Sequence, residues 1–232
     1  RFLIQADWVV PSSRESVDAS SSWNQWLRSC VPELFLEAVA ALLGRAEGEA
    51  ARLHAANLLL QLIPTGASEF FLPLAKACCE LLRGHPCVLT RSNTFVTPGE
   101  AVLVGSALQD PAALATDALV QQIGLHPVHP ELVMPIDLVQ VLGVRCFDAS
   151  LVIEVISHLC TQSWHSASDV DHKWLAWALK ELKRDTSLSR HLAALRQLRM
   201  LPLANGNLDC STPEQPIFQL SGVLSGELLP PD

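Results

Sequence analysis

Positive charge is scarce in this sequence. Only 16 Lys and Arg stand against 24 Asp and Glu in 232 residues, giving a formal net charge of −8 and a pI near 5.4. A chain with no basic stripe has no electrostatic footprint for phosphate backbones or anionic lipid, so nucleic acid and membrane surfaces drop out as expected partners. No apolar run approaches the roughly 18 residues that cross a bilayer. The N-terminus lacks the charged-then-apolar pattern of a secretion signal. There is no C-x-x-C pair, no G-x-x-x-x-G-K-[ST] loop and no G-x-G-x-x-G turn. No metal site is therefore expected, and no nucleotide pocket is contained within this stretch.

Apolar residues make up 49% of the chain, enough for a sizeable core in one large or two small domains. The seven cysteines, Cys30, Cys78, Cys79, Cys87, Cys146, Cys160 and Cys210, are odd in number and irregularly spaced, and most sit in apolar runs. That pattern suits buried free thiols in a reducing compartment, cytosolic or nuclear, better than a disulfide frame.

The periodicity predicts a mainly α (α+β) fold: helical segments, an N-terminal strand and two short β-hairpins. The strand spans residues 2–10 and ends at Pro11. Ser12-x-x-Glu15 matches a capping box at a helix start, and Ser20–Ser22 form a second polar pause before a short helix over 23–28. Pro32 fits the first turn of a separate helix closed by Gly44. Residues 47–63 read as a helix buried on most sides, with His54, Asn57 and Gln61 as its polar line. A further helix over 68–83 turns Phe71, Leu74, Ala75, Cys78 and Leu82 inward. Val88-Leu89 and Phe95-Val96 read as a hairpin around Arg91-Ser92-Asn93. Helices follow from Asp110-Pro111 to Gly124, over 135–142, over 148–163, from a Ser168-x-x-Asp171 cap to about residue 184, and over 187–199. His126–Pro135 reads as a proline-broken loop. Asn205-Gly206 turns a second hairpin after Leu201. Leu82-Arg83-x-x-Pro86 and Leu198-Arg199-x-x-Pro202, each trailed by Thr-Pro, echo one another as a helix-plus-hairpin unit used twice. The expected organisation is a strand and loop over 1–22, helical subdomains with hairpins over 23–105 and 106–220, and a tail over 221–232.

Few residues offer chemistry. Arg14 carries a planar, permanently charged fork suited to a phosphate, flanked by the Ser12 and Ser13 hydroxyls. On the residues alone the plain reading leads: a surface arginine paired with Glu15 or Asp18. Trp23 with Trp26, and Trp174 with Trp177, share helix faces and are expected in cores rather than at an interface. Cys78, Cys79 and Cys87, like His126-x-x-His129, lack the four convergent ligands of structural zinc. Asp169 and Asp171 beside His172 are explained by capping and the helix dipole. No serine or cysteine shows a partnering base and acid.

The string Phe2-Leu3-Ile4-Gln5-Ala6-Asp7-Trp8-Val9-Val10-Pro11-Ser12-Ser13-Arg14-Glu15-Ser16-Val17-Asp18, followed by Trp23-Asn24-Gln25-Trp26-Leu27, closely resembles an F-x-x-x-x-D-[WF]-x-[LV]-P-S-S-R-E-x-V-D…W-N-x-W-L pattern of the NO VEIN family of plants and algae. Those are large proteins with a histidine-kinase-like (GHKL) ATP-binding domain, related to sacsin. A softer likeness runs through Pro130-Glu131-Leu132-Val133 and Leu138 to Val144. The resemblance implies a segment that follows the ATP-binding domain of a larger, chaperone-like ATPase. ATP and Mg would then belong to the parent protein, and this stretch alone would not be an enzyme. Its partners would be the upstream ATP-binding domain of the same chain and possible protein clients. GHKL heat-shock chaperones carry a Ser-Arg-Glu loop whose arginine reaches the nucleotide's terminal phosphate. Ser13-Arg14-Glu15 matches that tripeptide, which implies nucleotide sensing by Arg14 and loop shaping by Ser12, Ser13 and Glu15. Asp18 stands where those chaperones have a glutamine. The alternative is a passive helical scaffold for protein partners with no nucleotide-dependent role.

Overall fold

The computed structural model, which describes residues 3–13, 16–103, 121–184, 193, 195–203 and 205–210, starts its first helix, α1, at Ser22 and carries it to Gly44. Ser21 caps it, its hydroxyl accepting from the Asn24 amide at 3.4 Å. Two helices were expected here, divided before Pro32. One helix forms instead, with Pro32 inside it. An interior proline lacks the N–H that the Arg28 carbonyl would accept and costs about 3 kcal/mol. The Pro32 ring is itself buried beside the stripe Val31, Phe35, Val39 and Leu43, and that burial offsets much of the loss.

Helix α2 spans Glu49–Leu62 and buries only Ala55, Ala56, Leu59 and Leu60. It is not enclosed on most sides as its composition implied. Its alanines count as apolar in a sequence but bring little area to bury, so one face suffices. A 3-10 turn at Glu69–Phe71 leads into α3, Leu72–Arg83, which turns Leu74, Ala75, Cys78, Cys79 and Leu82 inward. The inward face of α3 is the one its periodicity predicted. Phe71, in the preceding turn, is only half-buried.

Both expected hairpins form, and they share one geometry. Strands β1 (Val88–Leu89) and β2 (Phe95–Val96) pair antiparallel, closed by Thr90 N–H to the Thr94 carbonyl at 2.9 Å, with a turn bond from Asn93 N–H to the Thr90 carbonyl at 2.9 Å. In the second hairpin Leu203 N–H reaches the Asn207 carbonyl at 2.9 Å and Gly206 N–H the Leu203 carbonyl at 3.0 Å. The fourth loop residue is left-handed in each, Asn93 at φ +59° and Gly206 at φ +81°, as a type I turn with a bulge requires. The loops that match are Thr90–Thr94 and Leu203–Asn207, which lie three residues out of register with the Leu-Arg-x-x-Pro echo. Turn chemistry thus accounts for the likeness of the hairpins without a duplicated unit. Asn93 carries a second penalty: its Oδ1 is buried with no partner. Asn93→Gly is expected to raise stability by about 1 kcal/mol in chemical denaturation, since it removes both the left-handed strain and the orphaned acceptor.

A small parallel sheet was not foreseen. A capping box, Thr97 with Glu100, opens a 3-10 turn at Pro98–Glu100 that delivers β3, Ala101–Leu103. Strand β3 pairs in parallel with β4, His126–Pro127, on one side and with β5, Arg145–Cys146, on the other. The His126–Pro135 segment is therefore not loop throughout. Thr90 and Val128 form an antiparallel bridge, which ties the first hairpin to β4. Helix α4, Ile136–Leu142, runs between β4 and β5 and ends at Gly143, φ +77°, as its sequence predicted.

Strand pairing also moves the division of the chain. Among the described residues, those up to Phe147 form one compact unit and those from Asp148 a second. The sequence placed the division near 106, but β4 and β5 return to β3 and hold residues 126–146 in the first unit. In the second unit α5, Ala149–Gln162, is capped by Asp148 and buries Leu151, Val152, Val155, Ile156 and Leu159, the predicted stripe. Helix α6 spans His172–Arg184. The expected Ser168-x-x-Asp171 box is replaced by two caps. Ser166 pairs with Asp169 around a 3-10 turn, and the Asp171 carboxylate accepts from the Lys173 and Trp174 amides at 3.0 Å each. Val170, only 6% exposed, separates them. Strands β6 (Leu201–Pro202) and β7 (Leu208–Asp209) form the second hairpin. Most of the predicted helices over 110–123 and 187–199, and the tail from 211, lie outside the described residues.

Candidate functional site

The N-terminal run folds as an extended segment, not a strand. A tight turn, Trp8 N–H to the Ala6 carbonyl at 2.8 Å, interrupts it, and no strand pairs with residues 3–10 among the described residues. Side chains take the place of a neighbouring strand. The Asn24 carboxamide accepts from Val9 N–H at 2.8 Å and donates to the Val9 carbonyl at 2.7 Å and to the Asp18 carbonyl at 2.9 Å. Asp18 N–H closes the same point by donating to the Val9 carbonyl at 3.0 Å. Asn24 is fully buried, at 0% exposure, and uses three of its four hydrogen-bonding capacities here. Trp23 donates its indole N–H to the Asp7 carbonyl at 2.9 Å. Trp8 meets Phe71 edge-on at 5.6 Å and Phe70 at 6.1 Å. Arg28 lies 4.7 Å above the Phe70 ring and donates to the Phe70 carbonyl at 2.7 Å.

The result is a loop, residues 10–17, held at its neck. Pro11, Ser12 and Ser13 are exposed on it, the serines in a turn. Arg14 and Glu15 lie outside the described residues. No helix starts at the Ser12-x-x-Glu15 box: residues 16–18 are non-helical and α1 begins at Ser22. Asp18 is engaged instead at the loop's exit, where its carboxylate accepts from the Ser20 hydroxyl at 2.7 Å and the Ser20 amide at 2.9 Å. Those bonds hold its carboxyl below the ordinary value of 3.8, so it stays charged as pH falls past that point.

Trp23 and Trp26 are not core residues. They are 47% and 54% exposed, with ring centroids 5.0 Å apart. The α1 face that packs inward is the one bearing Asn24, Val31, Phe35 and Val39, and both indoles point off it. A lone asparagine in register with that apolar stripe was the available signal for Asn24, because a buried polar residue is informative where a buried Leu is not. Trp174 is core, at 1% exposure, and Trp177 is half-buried.

The remaining candidates are structural. Cys78, Cys79 and Cys87 are buried and all seven cysteines are free. Burial pushes the Cys78 thiol up to about 11 and the Cys87 thiol to about 12. Alkylation at pH 8 should therefore modify exposed Cys30 and Cys146 at least on the order of 100-fold faster than Cys78 or Cys87, as read by mass spectrometry of the native protein. His129 accepts from the Glu131 amide through Nδ1 at 3.2 Å and sits 3.5 Å from the Glu49 carboxylate through Nε2. Among the described residues no three His, Cys, Asp or Glu converge on a metal position. Asp169 accepts from Ser166 and His165 amides, which lower its carboxyl. Among the described residues no helix is long and apolar enough to cross a membrane.

Comparison with known proteins gives a distant likeness. The chain is similar to Protein NO VEIN of Arabidopsis thaliana, 25% identical over 225 residues, with 89% of this chain and 8% of that protein covered. The chain thus spans less than a tenth of that relative's length. No family model matches it, and no solved structure does.

Proposed function

We propose that this chain couples a histidine-kinase-like (GHKL) ATP-binding domain to the helical regions that follow it in a larger NO VEIN-like, sacsin-related, chaperone-like protein. Arg14 senses the terminal phosphate of ATP, and Ser12, Ser13 and Glu15 shape its loop. The observation that supports this reading is the neck. Asp7, Trp8, Asp18, Trp23 and Asn24, the letters of the shared string that flank Arg14, are the residues that close the loop carrying it. A surface arginine with no task would not need both limbs of its loop fixed by a fully buried carboxamide.

This sequence contains no phosphate-binding loop, so its own residues do not fit ATP or Mg, and the nucleotide site belongs to the upstream domain. The chain contributes a charge and not a pocket, and alone it is not expected to turn over ATP. Free buried thiols fit a cytosolic or nuclear setting. The deciding experiment is Arg14→Ala in the full-length polypeptide: ATP turnover should fall with folding intact, and unchanged turnover would reject the reading.

A second reading, a passive scaffold for protein partners, draws on the exposed Trp23–Trp26 pair and on an apolar groove of about 470 Å3 between α1 and α2. That groove is lined by Val31, Leu34, Phe35, Leu58 and Leu62. Under it, Trp26→Ala would weaken partner capture while Arg14→Ala left every activity unchanged.

A further inference from the structure

We infer that the groove between α1 and α2 seats a helix of a partner protein, apolar along one stripe and bordered there by Lys or Arg. The inference deepens the second reading above, resting on that groove and on neither Arg14 nor ATP.

Helix α1 is apolar on two sides. Val31, Phe35, Val39 and Leu43 pack inward. Leu34, Ala38 and Leu42 follow one another at four-residue steps along a second side, and Leu34 is 64% exposed. Across the groove stand Leu58, exposed, and Leu62, half-buried, from α2. Among the described residues, Gln5 is the one polar side chain lining it. A helix apolar over more than one stripe is normally covered on more than one side, and α1 leaves this side open. The walls select what fits. Both are helical, so their backbone N–H and C=O groups are already used in bonds within each helix. An extended peptide laid there would bury its own backbone groups with nothing to meet them. A helix arrives with those groups satisfied. Ala38, between Leu34 and Leu42, lowers the middle of the ridge and leaves room for an entering side chain.

Charge fixes the character of the border. Glu33 and Glu37 stand one turn apart beside Leu34, and both are exposed. No described residue forms an ion pair with either. Like charges at this spacing destabilise a helix, and a cation placed between them turns repulsion into attraction. Trp26, two turns before Glu33 on the same side and 54% exposed, offers an indole face that also favours a cation. The arginines of α1 and α2 do not neutralise this edge. Arg28 donates to the Phe70 carbonyl, and Arg52 to the Ala46 and Asn93 carbonyls. An anionic partner is therefore repelled. So is a second copy of this chain, which would bring the same carboxylates and a net charge of −8.

The test titrates the 232-residue chain by calorimetry with a synthetic helix of about 18 residues, leucine along one stripe and lysine beside it. One comparison peptide has glutamate in place of lysine, and another has the lysine peptide's composition in scrambled order. The lysine peptide should bind one to one and about tenfold tighter than either. Leu34→Gln should weaken it about tenfold, with thermal unfolding unchanged because Leu34 is largely exposed. Glu33→Lys combined with Glu37→Lys should turn the preference to the glutamate peptide. Equal binding of the scrambled peptide, no binding by any of the three, or parental affinity in Leu34→Gln overturns the inference. So does a chain that sediments as a dimer and becomes a monomer in Leu34→Gln, which gives the groove to a second copy. Weakened binding in Trp26→Ala beside parental affinity in Leu34→Gln removes the groove and leaves the scaffold reading standing.

Discussion

ATP turnover by the full-length polypeptide should fall about 10²- to 10³-fold when Arg14 is replaced by alanine, the loss typical of a removed donor aimed at developing transition-state charge. Thermal unfolding should not change, because the neighbouring residues Ser12 and Ser13 are exposed. A guanidinium reaching a terminal phosphate supplies a fixed charge in a planar fork, and its effect is greatest where charge spreads over the equatorial oxygens. Arg14→Lys should recover only part of the rate, since an ammonium keeps the charge and loses the fork. Steady-state kinetics at saturating ATP, beside calorimetry of the same preparations, checks both halves. Lost turnover with lowered stability would mean that Arg14 holds the loop itself.

The largest stability effect is expected in the second unit. Trp174 is 1% exposed and heads an inward stripe on α6 with Ala178 and Leu182. It meets Trp164 edge-on at 6.4 Å. Trp174→Ala should cost about 3–5 kcal/mol, the transfer term of a large indole plus the cavity left behind. In so small a unit that is a large share of total stability. Hydrogen exchange resolves the outcome by region: protection in α5 and α6 should collapse while α1 and α3, in the other unit, keep theirs. Trp174→Phe should lose less, because a ring still fills part of the space. Equal loss of protection in both units would show that they unfold together.

Legibility followed range. The stripes on α3 and α5 and the stop at Gly143 are legible in the sequence because their causes lie within a few residues: 3.6-residue periodicity and a left-handed glycine. Pro32 is no boundary, because its place inside α1 is set by burial against other elements, which a local rule for proline does not see. Both hairpins were visible through their turn residues. The parallel sheet was not, since strands of two or three residues have no period to read, and their partners lie more than twenty residues away in sequence. The Ser168 box failed by a shift of two residues, because polar spacing alone does not reveal that Val170 must be buried.

At the candidate site the split is sharper. The string around Arg14 pointed to an activity and named the serines beside it, but it gave Asn24 no role and put Trp23 and Trp26 in the core. The sequence by itself determined the mainly α class, most helix faces, the two hairpin turns and the acidic, thiol-bearing character of the chain. These follow from local sterics, capping and composition. Only the tertiary structure decided that residues 3–10 find no neighbouring strand among the described residues, that β4 and β5 return to β3, and that Asn24 bonds to both Val9 and Asp18. Each of those depends on which distant backbone groups are left without a partner once the helices have packed, and a linear pattern carries no record of that.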